Sequence, residues 1–298
     1  MANMPLIKGP DWVAKCKKID VLDSFMRYYD NGNPSGETLV FLHGNGSSSY
    51  LWRHIIAGVE SVARCIAPDL IGMGHSGKTP DLEYRFVDHY RYVEAFLKLL
   101  DLPEKFVFVC HDWGSALAFH FCKLHPGRPK AIVHTESVVQ VIDSWDAWPE
   151  IDDDIALIKS EAGDEMVLEN NFFVEIMIPA KIIRRLHPEE MEAYRKPFID
   201  PKDRGPTLAW PRDIPLVKGG APDVVQIVNE YNAYLRKTPD VPKMFIETDP
   251  GFFNGAVRDG ALKFPNTILV KMKGYHFPQE DDPEVFAEEL KAFLEKLK

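Results

Sequence analysis

Short, continuous apolar runs alternate along most of the chain with longer runs whose apolar residues recur at helical spacing. A run that is apolar at every position predicts a strand buried on both faces, whereas apolar residues three and four positions apart predict an amphipathic helix. Predicted strands begin the segments 37–45, 64–77, 104–112, 130–137, 242–251 and 267–277, and predicted helices occupy 86–102, 113–125 and a segment from Pro283. Strands separated by helices predict an α/β fold with a mostly parallel, doubly wound sheet.

The stretch 138–215 departs from this alternation. It contains aromatic residues, several prolines and acidic helix-like runs, and no run in it has the pattern of a sheet strand. We therefore expect a helical cap at 138–215, inserted into a core formed by 1–137 and 216–298. Such a cap covers the carboxyl ends of the strands, where open α/β sheets bind ligands.

Composition and charge narrow the possible partners. The 298 residues carry a formal net charge of −10, which argues against nucleic acid or an anionic membrane as the main partner and leaves a small-molecule substrate. The short basic run KIIRRLH (181–187) is predicted to be a solvated helix face. No apolar run reaches the roughly 18 residues of a membrane span, and the first residues lack the apolar region of a signal peptide. The four cysteines show no paired spacing, which predicts reduced thiols in a cytoplasmic protein.

The junction between the strand 104–112 and the helix 113–125 has the form of a nucleophile elbow. In hydrolases with the pattern G-x-S-x-G, a tight turn lifts the central residue off the sheet. Here the five residues run from Cys110 to Gly114, and Asp112 occupies the central position. An Asp at this place could also serve only as the N-cap of the helix. The His-Gly turn at 41–45 and His276 favour the interpretation of Asp112 as a nucleophile.

Two further segments complete a candidate site. A His-Gly turn follows the first predicted strand in FLHGN (41–45), where such folds place part of an oxyanion-type hole, and Asn45 adds side-chain N–H donors. The simpler interpretation is an ordinary Asn-Gly turn. His276 follows the last predicted strand and precedes the final helix, which is the place of the catalytic base in this fold.

The acid that orients His276 has two candidates, each at the end of a predicted strand. Asp249 precedes Pro-Gly and so has a simple explanation as a turn residue. Glu136 ends a buried strand just where the cap begins, and a buried charge is costly without a partner. We therefore favour Glu136 over Asp249.

Two other motifs have simpler explanations. GMGHSG (72–77) matches a dinucleotide-binding glycine pattern, but no good helix starts directly at it and no acidic residue ends a strand at the required distance. The histidines form no cluster with metal-ligand spacing, and the acidic run EIDDDI (150–155) does not have the spacing of an EF-hand loop. We expect neither a metal nor an organic cofactor.

A carboxylate at the elbow limits the chemistry. An ionised Asp needs no base before it attacks a saturated carbon, and a histidine can then activate water to cleave the resulting ester. The indole N–H of Trp113 and the amide of Asn45 are neutral donors that suit a halide leaving group. An epoxide would instead require an acid, usually tyrosines from the cap, and Tyr194 is the one obvious candidate. The residues thus point first to hydrolysis of an alkyl halide.

Longer motifs in both core and cap resemble one family. HDWG (111–114), VLENNFFVE (167–175), PTLAWPRDIPLVKGG (206–220) and DPGFF (249–253) are among the segments that strongly resemble the Renilla-type luciferases, which are relatives of the haloalkane dehalogenases within the α/β-hydrolase fold. The resemblance extends over nearly the whole chain. It implies a monooxygenase that oxidises coelenterazine with O₂ as co-substrate, decarboxylates it and emits light without a cofactor. The alternative is a haloalkane dehalogenase that forms an alkyl ester on Asp112, and one protein could carry both activities.

The resemblance also assigns residues. It implies Asp112, Glu136 and His276 as a triad and Asn45 with Trp113 as the halide-binding pair. It adds Asp154 as a second acidic group at the pocket. The expected lining of an aromatic substrate pocket consists of Trp148, Phe172, Phe173, Pro211, Ile214, Phe252 and Phe253.

Overall fold

A single eight-stranded sheet forms the centre of the protein, in a computed structural model that describes residues 5–143, 157–253 and 255–298. Its strands are β1 (Lys17–Val21), β2 (Ser24–Asp30), β3 (Glu37–Leu42), β4 (Ala63–Pro68), β5 (Phe106–Asp112), β6 (Pro129–Ser137), β7 (Lys243–Pro250) and β8 (Thr267–Gly274). Their spatial order is β1-β2-β4-β3-β5-β6-β7-β8. From β4 to β8 all neighbours pair in parallel, as the alternation of strands and helices predicts.

The central strand β5 shows why the apolar runs form this sheet. All of its residues, from Phe106 to Asp112, are buried, because helices cover both faces of the sheet there. The hairpin of β1 and β2 was not predicted from the apolar pattern. These two strands pair antiparallel at one edge, and their mixture of buried and exposed positions gives no continuous apolar run.

The long helices pack in two groups. Phe86–Leu99 and Pro222–Leu235 both pack against Trp113–Leu124, and Arg53–Val59 packs against the closing helix Pro283–Glu295. Proline stands at the first helical position of Pro222–Leu235 and Pro283–Glu295, where its missing N–H and fixed φ are tolerated. Shorter helices are Gly9–Lys15, Ala256–Ala261 and Pro278–Asp281.

Between β6 and β7 the chain contains helical segments. Within the described part of 138–215, these are Ala162–Asp164, Glu165–Glu169, Phe173–Met177, Ile178–Ala180, Pro188–Arg195, Lys196–Phe198, Pro201–Asp203 and Gly205–Arg212. The described residues of this region contribute no strand to the sheet, and Ile142 makes one isolated bridge to Leu216. The boundaries of the cap at 138 and 215 stay a prediction.

The basic run 181–187 was wrongly predicted as a solvated helix face. These residues are not helical, and Lys181 and Ile182 are buried. The guanidinium of Arg184 pairs instead with two carboxylates, those of Glu190 and Glu280. Charge patterning alone does not reveal these acidic partners, one of which is almost 100 residues away in sequence.

A buried ion network connects the segment after β6 to the core. Arg53 is fully buried and donates to Glu190 at 2.7 Å and to Glu280 at 2.6 Å. Arg184 pairs with the same two carboxylates, and the Tyr194 hydroxyl donates to Glu280. Each buried charge therefore has a partner, which offsets the cost of removing it from water.

None of the helices in the described part of the chain has the length and apolar character needed to cross a membrane.

Candidate active site

Asp112 lies at a sharp turn between β5 and the helix Trp113–Leu124. Its backbone has φ 50° and ψ −129°, an unusual conformation for a residue with a side chain, and the residue is buried. Glycines permit this turn to lie against β3. A Cβ at Gly44 would lie 2.3 Å from Asp112 Oδ2, and a Cβ at Gly114 would lie 2.3 Å from the carbonyl oxygen of Leu42. The elbow thus depends on two positions without side chains.

Backbone donors hold the carboxylate of Asp112. The N–H of Asn45 donates to Oδ2 at 2.8 Å, and the N–H of Trp113 also acts on the carboxylate. Burial raises the pKa of Asp112, while His276 and the two backbone N–H groups act to lower it. The His-Gly turn therefore contributes a donor through Asn45. His43 itself holds the loop, since its Nε2 accepts from the N–H of Leu70 at 2.9 Å.

The side chains of Asn45 and Trp113 both face the space in front of Asp112. Nδ2 of Asn45 donates one hydrogen to the carbonyl oxygen of Thr207 at 3.1 Å, which leaves its second hydrogen for another acceptor. No described residue accepts a hydrogen bond from the indole of Trp113, whose ring packs on Trp210 at 5.7 Å between centroids. Both predicted donors are therefore available to a bound anion.

Glu136, rather than Asp249, contacts His276. Oε2 of Glu136 lies 3.0 Å from Nδ1 of His276, whereas Asp249 is exposed at the end of β7. The register of β6 against β5 shifts beside Asp112, and Glu136 there has a positive φ of 46°. This irregularity turns the carboxylate of Glu136 out of the regular strand pattern toward the histidine.

The carboxylate of Glu136 is also fixed from its other sides. It accepts the hydroxyl of Thr248 and the backbone N–H groups of Phe252 and Phe253, the last at 2.9 Å. These donors stabilise the ionised carboxylate, which in turn favours a proton on Nδ1 of His276. Nε2 of His276 is then the nitrogen that can accept a proton.

Aromatic rings and a second histidine fix the imidazole of His276. The rings of Phe252 and Phe253 each lie 5.2 Å from it, edge to face, and Phe277 lies at 4.9 Å. Nε2 of His111, inside the elbow, lies 2.6 Å from the carbonyl oxygen of His276. Burial lowers the pKa of His111 well below its usual value, so this ring is neutral and donates from Nε2 to the carbonyl. The elbow therefore also positions the loop that carries His276.

Asp112, Asn45, Trp113 and His276 line one largely apolar cavity, which we call the chamber. Its free volume is about 70 Å³. The other lining residues are Ser137, Val138, Val139, Gln140, Ile142, Phe173, Met177, Ile178, Lys181, Pro211, Ile214, Pro215, Phe252, Phe253, Val257 and Phe277.

Most of the predicted lining residues lie in the chamber wall. Five do so: Phe173, Pro211, Ile214, Phe252 and Phe253. Phe172 is not among the lining residues; it packs in an apolar cluster with Ile158 and Leu208, to which the lining residues Phe173 and Met177 also belong. The side chains of Phe172 and Phe173 point in different directions because the two residues are adjacent. Both are phenylalanine, so the sequence does not show which of them faces the chamber. Trp148 and Asp154 lie outside the described residues.

Sequence reasoning missed the wall contributed by 137–140 and Ile142, by Met177 and Ile178, and by Lys181. The first group directly follows Glu136, so its position after a strand end was an available signal. Lys181 had no such signal, because its basic neighbours indicated a surface segment. Tyr194, considered as an acid for an epoxide, is not among the chamber residues and donates its hydroxyl to Glu280.

One group within the described residues has metal-ligand geometry. Ligand atoms of His54, Glu190 and Glu280 lie within 4.8 Å of one another. Both carboxylates, however, already pair with the guanidinium groups of Arg53 and Arg184. Two adjacent fixed cations disfavour a metal ion there, and we interpret the group as part of the structural ion network.

The fold and this site define a class of protein. Residues 37–283 match the α/β hydrolase fold family, and the chain belongs to it, as predicted. The chain is 60% identical to coelenterazine h 2-monooxygenase of Renilla reniformis, over 98% of this chain and 94% of that protein. It is 40% identical to haloalkane dehalogenase of Sphingobium indicum, over 95% of this chain and 96% of that protein. The predicted place among Renilla-type and haloalkane dehalogenase-like proteins is thereby confirmed.

Solved structures show the same architecture. An ancestral haloalkane dehalogenase superposes with a TM-score of 0.88 at 38% identity, covering 94% of this chain and 99% of that one. Haloalkane dehalogenase DbeA from Bradyrhizobium elkani superposes with a TM-score of 0.87 at 34% identity, covering 95% and 98%. The likeness extends over nearly the whole chain.

Proposed function

We propose that this protein is a luciferase that oxidises coelenterazine with O₂, releases CO₂ and emits light, with O₂ as co-substrate and no organic cofactor. The observation that carries the proposal is the chamber: one acid-base group opens into an aromatic, mostly apolar cavity. A large multi-ring substrate requires such a wall. The similarity to the Renilla monooxygenase supports the same reaction.

The proposed reaction begins with loss of a proton from the imidazopyrazinone ring of coelenterazine. The resulting anion gives up electrons to O₂, and a peroxide forms on the ring carbon. The peroxide anion attacks the neighbouring carbonyl carbon while the bond from that carbon to the ring nitrogen breaks, so that the nitrogen takes the electron pair and a dioxetanone forms. The O–O bond and the C–C bond of this strained ring then break. One oxygen atom of O₂ leaves in CO₂, and the other remains as the amide oxygen of coelenteramide, which is formed in an excited state.

The chain's residues have defined tasks in this proposal. Asp112 and Nε2 of His276 accept and return protons at the chamber floor, and the pKa of Asp112, raised by burial, makes it a stronger base than an exposed aspartate. The N–H groups of Asn45 and Trp113 stabilise negative charge that develops on oxygen. The apolar wall excludes water, which would quench the excited product or divert the peroxide.

A second function, haloalkane dehalogenation, is favoured by a specific observation. The Asp112 carboxylate, its two N–H donors and the Glu136–His276 pair form a complete set for an ester mechanism. Asp112 would displace the halide from carbon, and the donors of Asn45 and Trp113 would stabilise the departing anion. Water activated by His276 would then cleave the ester and regenerate the carboxylate.

One experiment separates the two functions. Purified protein is mixed with coelenterazine in air and photons are counted, and it is separately mixed with 1,2-dibromoethane while released bromide is titrated. Light without bromide supports the luciferase alone, and bromide without light supports the dehalogenase. If neither light nor bromide is detected, both enzymatic functions are contradicted and only a binding role is left.

The cysteines support the prediction of a reducing, cytoplasmic location. All four are free, and Cys65, Cys110 and Cys122 are buried. Burial raises the pKa of each of these three thiols, which keeps them protonated and unreactive.

A further inference from the structure

A buried serine connects the elbow to the strand that carries Glu136. Ser115 is the third residue of the helix Trp113–Leu124, and its side chain is fully buried. Its hydroxyl donates to the backbone carbonyl oxygen of Asp112 and accepts the backbone N–H of Val138 at 3.0 Å. One hydroxyl can donate and accept at the same time, so a single side chain satisfies both backbone groups.

The contact lies where the pairing of β5 with β6 ends. The register shifts between His111 and Asp112, and Asp112 pairs with Ser137 as the last residue of β5. The chain then turns into the helix, so the N–H of Val138 is accepted by the hydroxyl of Ser115 and not by a further carbonyl of β5. A buried N–H without an acceptor is costly, and Ser115 removes that cost at the end of the ladder.

Both backbones that meet at Ser115 are strained. Asp112 has φ 50°, and Glu136, two residues before Val138, has φ 46°. Residues with side chains keep such conformations only where surrounding contacts fix them. Ser115 bonds to the backbone of Asp112 itself and to the segment that directly follows Glu136. It therefore holds two strained residues of neighbouring strands at a fixed distance.

We propose that Ser115 is a positioning residue that fixes the Asp112 and Glu136 carboxylates relative to each other by connecting the elbow to the end of β6. The inference rests on the proposed function, because both reactions considered there use Asp112 together with the Glu136–His276 pair. Ser115 is not among the residues that line the chamber, so it acts through the backbones of Asp112 and Val138 and not on the substrate. Without its hydroxyl, the two strained turns are free to relax apart.

The test removes the hydroxyl of Ser115 with little change in shape, in the variant Ser115→Ala. Thr238→Val is the matched control. The side chain of Thr238 is also buried, and its hydroxyl donates at 2.9 Å to the carbonyl oxygen of Leu235, three residues earlier, as that of Ser115 does to Asp112. Thr238 precedes the amino end of β7, whereas the chamber lies at the carboxyl ends of the strands.

Two backbone N–H groups report where the carboxylates lie, without any substrate. The N–H of Asn45 donates to Oδ2 of Asp112 at 2.8 Å, and the N–H of Phe253 donates to Oε2 of Glu136 at 2.9 Å. A carboxylate that moves away loses its donor, and the freed amide exchanges its hydrogen with solvent more readily. Hydrogen exchange of these two amides is measured by NMR on the whole protein.

In Ser115→Ala, the amides of Asn45 and Phe253 and that of Val138 should exchange roughly tenfold faster, the magnitude expected for one lost hydrogen bond. Thr238→Val should leave these three amides at their wild-type rates. Such a pattern distinguishes displaced carboxylates from a general loss of stability, which would accelerate exchange in both variants.

Kinetics give an independent measurement. For Ser115→Ala, kcat for light emission or bromide release should fall about 10- to 100-fold, because the reacting carboxylate is displaced, while KM changes little. Thr238→Val should keep the wild-type kcat even if its Tm falls. Should Ser115→Ala fail to fold, Ser115→Cys retains the shape with a weak donor and acceptor, and it should show the same changes at smaller size.

Unchanged exchange at Asn45 and Phe253 in the Ser115 variant that folds would overturn the inference, whatever happens to the rates. A kcat close to that of the wild type would overturn it as well. Absence of both light and bromide from the wild type would instead contradict the proposed function. The exchange comparison would then still decide whether Ser115 fixes the two carboxylates.

Discussion

Nδ1 of His276 lies 3.0 Å from Oε2 of Glu136, although 140 residues separate the two in the chain. The same carboxylate accepts the backbone N–H groups of Phe252 and Phe253, which line the chamber. One buried carboxylate therefore orients the imidazole of His276 and fixes part of the wall. A change of this carboxylate should therefore alter both the orientation of the His276 ring and the position of Phe252 and Phe253.

Glu136→Gln should lower the rate of whichever reaction the protein catalyses by about 10²–10⁴-fold, because a neutral amide no longer stabilises the charged imidazole. Photon counting and bromide release measure the two rates. Asp249→Asn is the matched control at the end of the next strand, and it should retain wild-type rates because Asp249 is exposed. A larger loss for Asp249→Asn than for Glu136→Gln would reverse the assignment of the acid.

His276→Phe tests the covalent route. If Asp112 attacks an alkyl halide, loss of the base that activates water should leave the ester in place. Intact-protein mass spectrometry after incubation with 1,2-dibromoethane should then show the alkyl mass, located by peptide mapping on Asp112. Asp112→Asn with the same treatment is the control and should stay unmodified. An unmodified His276→Phe protein after long incubation would argue against the ester mechanism.

Gly44→Ala should inactivate the protein. The added Cβ would lie 2.3 Å from Oδ2 of Asp112, so the carboxylate must move. A displacement of about 1 Å in a reacting group costs on the order of 10²-fold in rate. Gly127→Ala is the control, because no atom lies within 4 Å of its added Cβ. Rates within twofold of the wild type for Gly44→Ala would show that the carboxylate need not hold its position.

Asp112→Asn should raise the stability of the protein at pH 7 while it abolishes activity. Burial raises the pKa of Asp112 in the folded state above its value of 3.8, so folding favours the neutral form and the ionised carboxylate at pH 7 costs stability. The neutral amide removes that cost, and Tm should rise by about 2–4 °C for each kcal/mol recovered. The gain should shrink as pH falls toward 3.8, where Asp112 becomes protonated in the wild type. A lower Tm for Asp112→Asn at pH 7 would contradict this account.

Arg53→Met should destabilise the protein by about 3–5 kcal/mol, because it leaves buried carboxylates with one cation fewer. Burial opposes ionisation of Glu280, but Arg53 and Arg184 outweigh it and lower the pKa below 4.5. The stabilisation from this carboxylate is therefore full above pH 4.5 and lost as pH falls through the lowered pKa. Urea unfolding at pH 7 and pH 4 measures the difference, with the exposed Lys202→Met as the control. A change below 1 kcal/mol at pH 7 would mean that the network contributes little.

Much of the core followed from local pattern. The strand β5 was predictable because a strand covered on both faces must be apolar throughout, and the elbow at Asp112 was predictable because strand, turn and helix follow one another directly. The edge hairpin of β1 and β2 was missed, since an edge strand mixes buried and exposed positions. Phe172 was placed in the chamber wall because the sequence cannot show which of two adjacent aromatic residues faces a cavity.

Local pattern thus sufficed for the parallel strands, the position of Asp112 and the end-of-strand location of Glu136 and His276, because each depends on residues close together in the chain. Contact between Glu136 and His276, the burial of Lys181 beside Phe252, and the pairing of Arg53 with Glu280 depend on elements 70 to 230 residues apart. Such contacts are set by the order of strands in the sheet and by the path of the chain above it. No periodicity of apolar and polar residues encodes those distances, so they became visible only in the folded chain.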